Sequence, residues 1–298
     1  MTIKHIVICG GGPTGFLSYG ALKRLHEKEI WNKKDVETIY GSSIGGVMGV
    51  LINLAHSWEA LSDYLIKRPW IKVFDRISGD LLDFIENKGI DGIELAKIVL
   101  EPLLKARDMT IDATLKDLYE LTKIKLVLTA TNVNGPGKRL NAELLNYKSN
   151  PDMKIYEAMA ITSALPMSFR PVYYKEGCYI DGGFMHNYPI TRCLEVEKPD
   201  ETEILAINNK WDVVYPVLNS DTSILEYLKV FTRRVHNSVD SSEDQPKVTN
   251  EVVCDASGLS DMNVWVDSFN NPDMREKLIN KGRDSADKWL ESRNIDNE

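Results

Sequence analysis

The chain has 298 residues, 43% of them hydrophobic and 27% charged, and carries a formal net charge of −8. That length and composition supply a sizeable core. The acidic balance excludes a basic nucleic-acid stripe and purely electrostatic docking on anionic lipid, although a local basic or apolar patch leaves transient membrane-surface contact open.

Residues 3–9 read as a short buried strand, too short for the apolar region of a signal peptide. No run approaches the roughly 18 apolar residues of a spanning helix. The loop Gly10-Gly11-Gly12-Pro13-Thr14-Gly15 ends the strand, and helical spacing follows over 16–28. A second strand, 37–40, delivers Gly41-Ser42-Ser43-Ile44-Gly45, which leads into an apolar helix. Helices are expected over 57–73, broken near Pro69, then over 79–86 and 92–106. Thr114 and Asp117 form a capping pattern. A strand over 125–133 turns at Asn134-Gly135-Pro136-Gly137 toward a hairpin partner over 138–145. A helix over 156–162 is followed by short strands at 172–174 and 178–180, then by Asp181-Gly182-Gly183. One more strand is expected at 203–208.

The last third is more polar: a helix over 224–239, a solvated loop over 241–246, short strands at 252–254 and 264–266, and a helix over 272–292. Strands alternating with helices through the first half imply a mostly parallel sheet covered on both faces. The cysteines, Cys9, Cys178, Cys193 and Cys254, match no zinc or disulfide pattern. They are expected as reduced thiols in a cytoplasmic protein, peripheral at membranes if the lipid contact is made.

Three motifs bear chemistry. Gly41-x-Ser43-x-Gly45, between a strand and a helix, has the frame of a nucleophile elbow; an N-capping serine would use the same residues. The glycine loop fits a dinucleotide fingerprint through Gly10, Gly12 and Gly15, which would take flavin or nicotinamide. That fingerprint wants an acidic residue closing the second strand, and Glu37 precedes that strand instead. The same loop fits an oxyanion hole, where each amide is worth on the order of 3 kcal/mol in the transition state. Asp181 ends a strand before two glycines, as a base or as a plain turn residue. Among the histidines, His186 follows that turn and keeps a Ser43–Asp–His186 triad open.

Together and in this order, the motifs resemble the patatin-like phospholipase family: G-G-G-x-x-G at Gly10 to Gly15, G-x-S-x-G at Gly41 to Gly45, D-G-G at Asp181, Gly182 and Gly183, and the Ala160-Ile161-Thr162-Ser163-Ala164-Leu165-Pro166 segment before the aspartate. The resemblance covers about residues 3–210, with 211–298 as an extension packed on one patatin-like domain. It implies a three-layer α/β/α sandwich and hydrolysis of acyl esters in lipids. It implies Ser43 as nucleophile and Asp181 as base, without histidine, metal or cofactor. Gly11 and Gly12 would line the oxyanion hole beside Gly10. The implied partner is a lipid or acyl-ester substrate, with oligomeric state left open. Thr14 departs from the family, which often has Arg or Lys there. A carboxylate is a weak base for a hydroxyl, so desolvation of Asp181 and the helix N-terminus behind Ser43 would have to assist. A dinucleotide-dependent oxidoreductase and a non-catalytic member of the fold are the alternatives.

Overall fold

Along the first strand the side chains alternate: Ile6 and Ile8 join one apolar cluster, while Val7 and Cys9 join another on the opposite face. This double burial is what a parallel sheet with helices on both sides requires. The computed structural model describes residues 2–77, 81–212, 216–239 and 245–295. The strands are β1 (His5–Ile8), β2 (Thr38–Gly41), β3 (Lys125–Asn132), β4 (Asn141–Leu145), β5 (Val172–Tyr174), β6 (Gly177–Asp181), β7 (Ile204–Lys210) and β8 (Glu251–Asp255). Their order is β5-β6-β3-β2-β1-β7-β8, with β4 also paired to β3. Pairings among β3, β2, β1, β7 and β8 are parallel; β4, β5 and β6 pair antiparallel.

The helices are α1 (Thr14–Glu27), α2 (Ile44–Leu54), α3 (Trp58–Lys67), α4 (Trp70–Ile77), α5 (Leu81–Glu86), α6 (Gly92–Lys105), α7 (Leu115–Thr122), α8 (Ile155–Thr162), α9 (Gly183–His186), α10 (Ile190–Glu197), α11 (Ile224–Val239), α12 (Met262–Asn270) and α13 (Pro272–Ile295). Leu17, Leu22, Val50, Leu51 and Leu278, from α1, α2 and α13, fill the larger cluster with Ile6, Ile8 and Ile39. Ile190 and Cys193 of α10 fill the other with Val7, Tyr40 and Val127. Each such fully buried side chain contributes about 1.5–3 kcal/mol. The architecture is therefore the expected α/β fold with a mostly parallel central sheet.

Local rules account for many boundaries. Pro69 separates α3 from α4, as expected from the restriction that proline places on the residue before it. Thr114 and Asp117 form a reciprocal capping box at the start of α7. All four cysteines are free thiols; three are buried and Cys178 is half-buried. Residues 79–80 of one expected helix and 241–244 of the expected loop lie outside the described residues. The expected strand at 264–266 is a helix, α12. Its three apolar residues have a strand's local preference, but the Asp261 side chain accepts from the Asn263 amide and opens a helix instead.

The residues after 210 complete the core. β8 pairs with β7 along the sheet edge. α13 crosses α1 so closely that a Cβ on Gly20 would overlap the Ile279 carbonyl, and one on Gly282 would overlap that of Leu17. Trp58, Leu61, Leu65 and Trp70 pack into the core, as apolar residues at helical spacing usually do.

Candidate active site

The register of β1 on β2 puts Ile8 beside Gly41. The glycine loop and the serine turn therefore leave the carboxyl ends of adjacent parallel strands. At that turn Ser43 adopts φ 51° and ψ −127°. A positive φ in a residue with a Cβ costs on the order of 1–3 kcal/mol, and the surroundings must hold it. They do so from two sides. A Cβ on Gly45 would overlap the carbonyl oxygens of Ile8 and Cys9, so α2 starts hard against the end of β1. The Ser43 amide donates to Thr162 Oγ1 at 3.1 Å, which ties the turn to the end of α8.

The strained turn aims the hydroxyl. Ser43 stands at the N-cap position of α2, yet its side chain makes no capping bond. Ser43 Oγ donates instead to Asp181 Oδ2 at 2.6 Å. Asp181 ends β6 and is 3% exposed. Its other oxygen, Oδ1, accepts from the Gly183 amide at 2.7 Å. Its backbone is pinned as well: its amide donates to the Ala164 carbonyl at 2.9 Å, and its carbonyl accepts from Thr131 Oγ1 at 2.9 Å. Thr162 closes the frame, since its carbonyl accepts from the Gly182 amide at 3.2 Å. The expected Ala160–Pro166 segment is thus the brace between the serine turn and Asp181.

The glycine loop borders this pair. A Cβ on Gly10 would meet Ser43 Cβ and overlap Asn187 Oδ1. Gly11 has φ 145° and Gly12 φ 60°. The Gly10 amide donates to the Asn187 carbonyl at 2.9 Å, so it is not available to a ligand. Among the described residues, no acceptor is assigned to the amides of Gly11 and Gly12. Of the three expected glycines, Gly10 thus has its amide taken by Asn187, which the chain after Asp181 brings onto the loop by folding back as α9.

Several contributors escaped the sequence reading. Asn209, at the end of β7, directs Nδ2 toward Thr14 Oγ1 at 2.9 Å, Cys9 Sγ at 2.9 Å and the Gly10 carbonyl at 3.3 Å. Thr14 is fully buried, so the position that often carries a basic residue in the resembling family is closed to solvent here. Trp211 and Trp265 press on the loop; their rings occupy the space of a side chain on Gly11 and Gly12 respectively. Only the parallel pairing of β7 with β1, which the structure reveals, brings Asn209 to the loop.

His186 closes α9 and does not stand between Ser43 and Asp181, which bond directly. Burial lowers its pKa, and the charges that act on it are those of Arg192 and Glu195. Glu37 lies at the amino end of β2, where its amide bonds to the Lys4 carbonyl, at the far end of the strand from the glycine loop. Glu37 is therefore not placed to hold a ribose beside Gly10, Gly12 and Gly15. Among the described residues, no group of three or more His, Cys, Asp or Glu side chains is placed to hold a metal.

Fold and site together define an α/β protein of the serine-elbow class. The profile of the family described as patatin-like phospholipase matches residues 6–194, and the chain belongs to that family. It is 27% identical over 190 residues to a protein named probable lipid hydrolase 463L of Invertebrate iridescent virus 6, covering 63% of this chain and 62% of that protein. It is 23% identical over 189 residues to uncharacterized protein R571 of Acanthamoeba polyphaga mimivirus, covering 63% and 61%. The matched stretch spans about three fifths of each of these curated relatives. In fold it is similar to the crystal structure of VipD from Legionella pneumophila, with a TM-score of 0.56 and 17% identity over 97% of this chain and 67% of that one. No described helix is long and apolar enough to cross a membrane.

Proposed function

We propose that this chain is a lipid acyl hydrolase of the phospholipase A or lysophospholipase type, working through a Ser43–Asp181 dyad. The observation that carries the reading is the 2.6 Å bond from Ser43 Oγ to Asp181 Oδ2 on a strained elbow. Family membership and the name of the iridescent-virus relative, probable lipid hydrolase, support a lipid substrate.

In this reading Ser43 Oγ attacks the ester carbonyl carbon while its proton passes to Asp181 Oδ2. The carbonyl oxygen gains negative charge and turns toward the amides of Gly11 and Gly12. The N-terminus of α2 behind Ser43 favours the same charge. The tetrahedral intermediate collapses, the C–O bond to the alcohol breaks, and Asp181 gives the alcohol its proton. Water then attacks the acyl-Ser43 ester and loses its proton to Asp181; the bond from the acyl carbon to Ser43 Oγ breaks, Asp181 returns the proton to Oγ, and the fatty acid leaves. The Gly183 amide holds Asp181 in one orientation throughout.

A fluorophosphonate probe is expected to label Ser43, as read by peptide mass spectrometry. A folded protein that stays unlabelled would favour a non-catalytic member of the fold. A lipid-class screen over phospholipids, lysophospholipids, galactolipids and neutral glycerides, wild type against Ser43→Ala, assigns the substrate. Gly12→Ala is expected to lower kcat by about 10²-fold, the scale of one lost oxyanion donor. The new methyl group would overlap the Trp265 ring at a positive φ and displace the loop. Unchanged kcat in a soluble-ester assay would remove the loop from the mechanism.

A further inference from the structure

A surface helix of a globular protein normally turns its apolar stripe inward. α11 does the reverse. Ile224, Tyr227, Leu228, Phe231 and Val235 follow the i, i+3, i+4, i+7, i+11 spacing and share one stripe ~100° wide. All five are exposed, Ile224 by 67% and Phe231 by 51%. Of the described side chains of α11, Val230 alone is buried. The Tyr227 and Phe231 rings stack with their centroids 6.0 Å apart, so the stripe is one continuous surface. Scattered exposed apolar residues are ordinary, but a contiguous row marks an interaction site.

The position of the helix narrows the occupant. α11 packs against α9, the short helix that follows Asp181 and Gly182. Thr232 Oγ1 lies 3.6 Å from Met167 Sδ, and Met167, itself exposed, belongs to the loop that leaves α8. α11 therefore lies beside the two segments that hold Asp181 and Thr162, with its stripe left exposed. Its charge points the same way. In a chain of net charge −8, the α11 sequence carries Lys229, Arg233 and Arg234 against Glu226 alone. Two copies of a basic helix repel each other, whereas anionic headgroups complement one. An apolar stripe on a helix with basic residues is the pattern that lies in a membrane interface.

We propose that α11 is an interfacial helix that docks the rim of the site on a phospholipid surface, its stripe entering the acyl boundary. The choice of occupant rests on the lipid hydrolase reading. The test uses vesicles of phosphatidylcholine with and without phosphatidylserine. Ser43→Ala protein is expected to co-sediment with the vesicles, more strongly when phosphatidylserine is present. Adding Leu228→Asp and Phe231→Asp should lower that binding by about tenfold or more. With Ser43 intact, the same two substitutions should lower vesicle hydrolysis in parallel while sparing a monomeric short-chain ester. Absence of vesicle binding by the Ser43→Ala protein, or binding unchanged by the two aspartates, overturns the proposal. So does a dimer that the aspartates dissociate without any loss of vesicle binding, which would make a second copy the occupant. Loss of binding in a protein that cleaves no ester sustains the docking helix and sinks the hydrolase reading alone.

Discussion

Ser43→Ala is expected to lower kcat/KM on a soluble aryl ester by roughly 10⁴-fold or more, the scale seen when a nucleophile is removed. Asp181→Asn should come within reach of the same loss. It keeps the size of the side chain and the acceptor that faces the Gly183 amide, but presents no carboxylate to take the Ser43 proton. Both variants should stay folded, since each changes a few atoms in a frame held by Thr131, Thr162 and Ala164. Full activity in Ser43→Ala, on every ester tried, would remove the elbow from the chemistry. A stability comparison adds an independent check. Ser43→Gly should be more stable than Ser43→Ala by about 1 kcal/mol, because glycine adopts the φ of 51° without the Cβ penalty. Equal denaturation midpoints would mean that the turn is not strained as described.

Arg275→Ala is expected to cost about 3–5 kcal/mol of folding stability, measured by urea denaturation. Arg275 is 2% exposed and lies in α13. Among the described residues no carboxylate pairs with it, and burial lowers its pKa. Its donors go to backbone carbonyls instead. Nε and Nη2 reach the Ile66 carbonyl at 3.1 and 2.5 Å, and Nη2 also reaches that of Arg68 at 3.1 Å. Nη1 reaches those of Ser268 and Phe269, both at 3.0 Å. One guanidinium thus closes the carboxyl ends of α3 and α12, where carbonyls lack intrahelical donors and the helix dipole favours a cation. Alanine would leave four carbonyls without this donor and a cavity beside them. Arg275→Lys should recover only part of the loss, since an ammonium lacks the planar fork. A midpoint unchanged in Arg275→Ala would show that water replaces the guanidinium at no cost.

The three motifs were legible because each is a local string at a strand end, and β1–β2 pairing brings two of the strings together. Thr114 and Asp117 announced α7 for the same reason: a capping box is complete within four residues. The rest depended on the chain far away. Asn209 reaches Gly10 and Thr14 only because β7 returns to the flank of β1. Whether the Gly10 amide is free depends on Asn187, which sequence alone leaves unplaced. Val264, Trp265 and Val266 read as strand from their side chains, and lie in a helix that Asp261 caps and that packs against α4 and α13. Arg275 carried no signal at all, since an arginine in a polar helix is ordinary until its surroundings are known.

The position of β1 sets an order of assembly. A chain leaves the ribosome amino end first. The glycine loop is made before the segments that support it, and its strand lies in the middle of the sheet, with β7 as one neighbour. Asn209, Trp211 and Trp265, which hold or cover the loop, are made about two hundred residues later or more, and α13 follows them to cover α1. Pairings between such distant segments pay their loop-closure entropy before any contact rewards it. The glycine loop is therefore fixed only after segments made much later have docked. A nascent chain carries Ser43 and Asp181 while the glycine loop is still unsupported, and the loop gains its support only once β7 and α12 have emerged and docked.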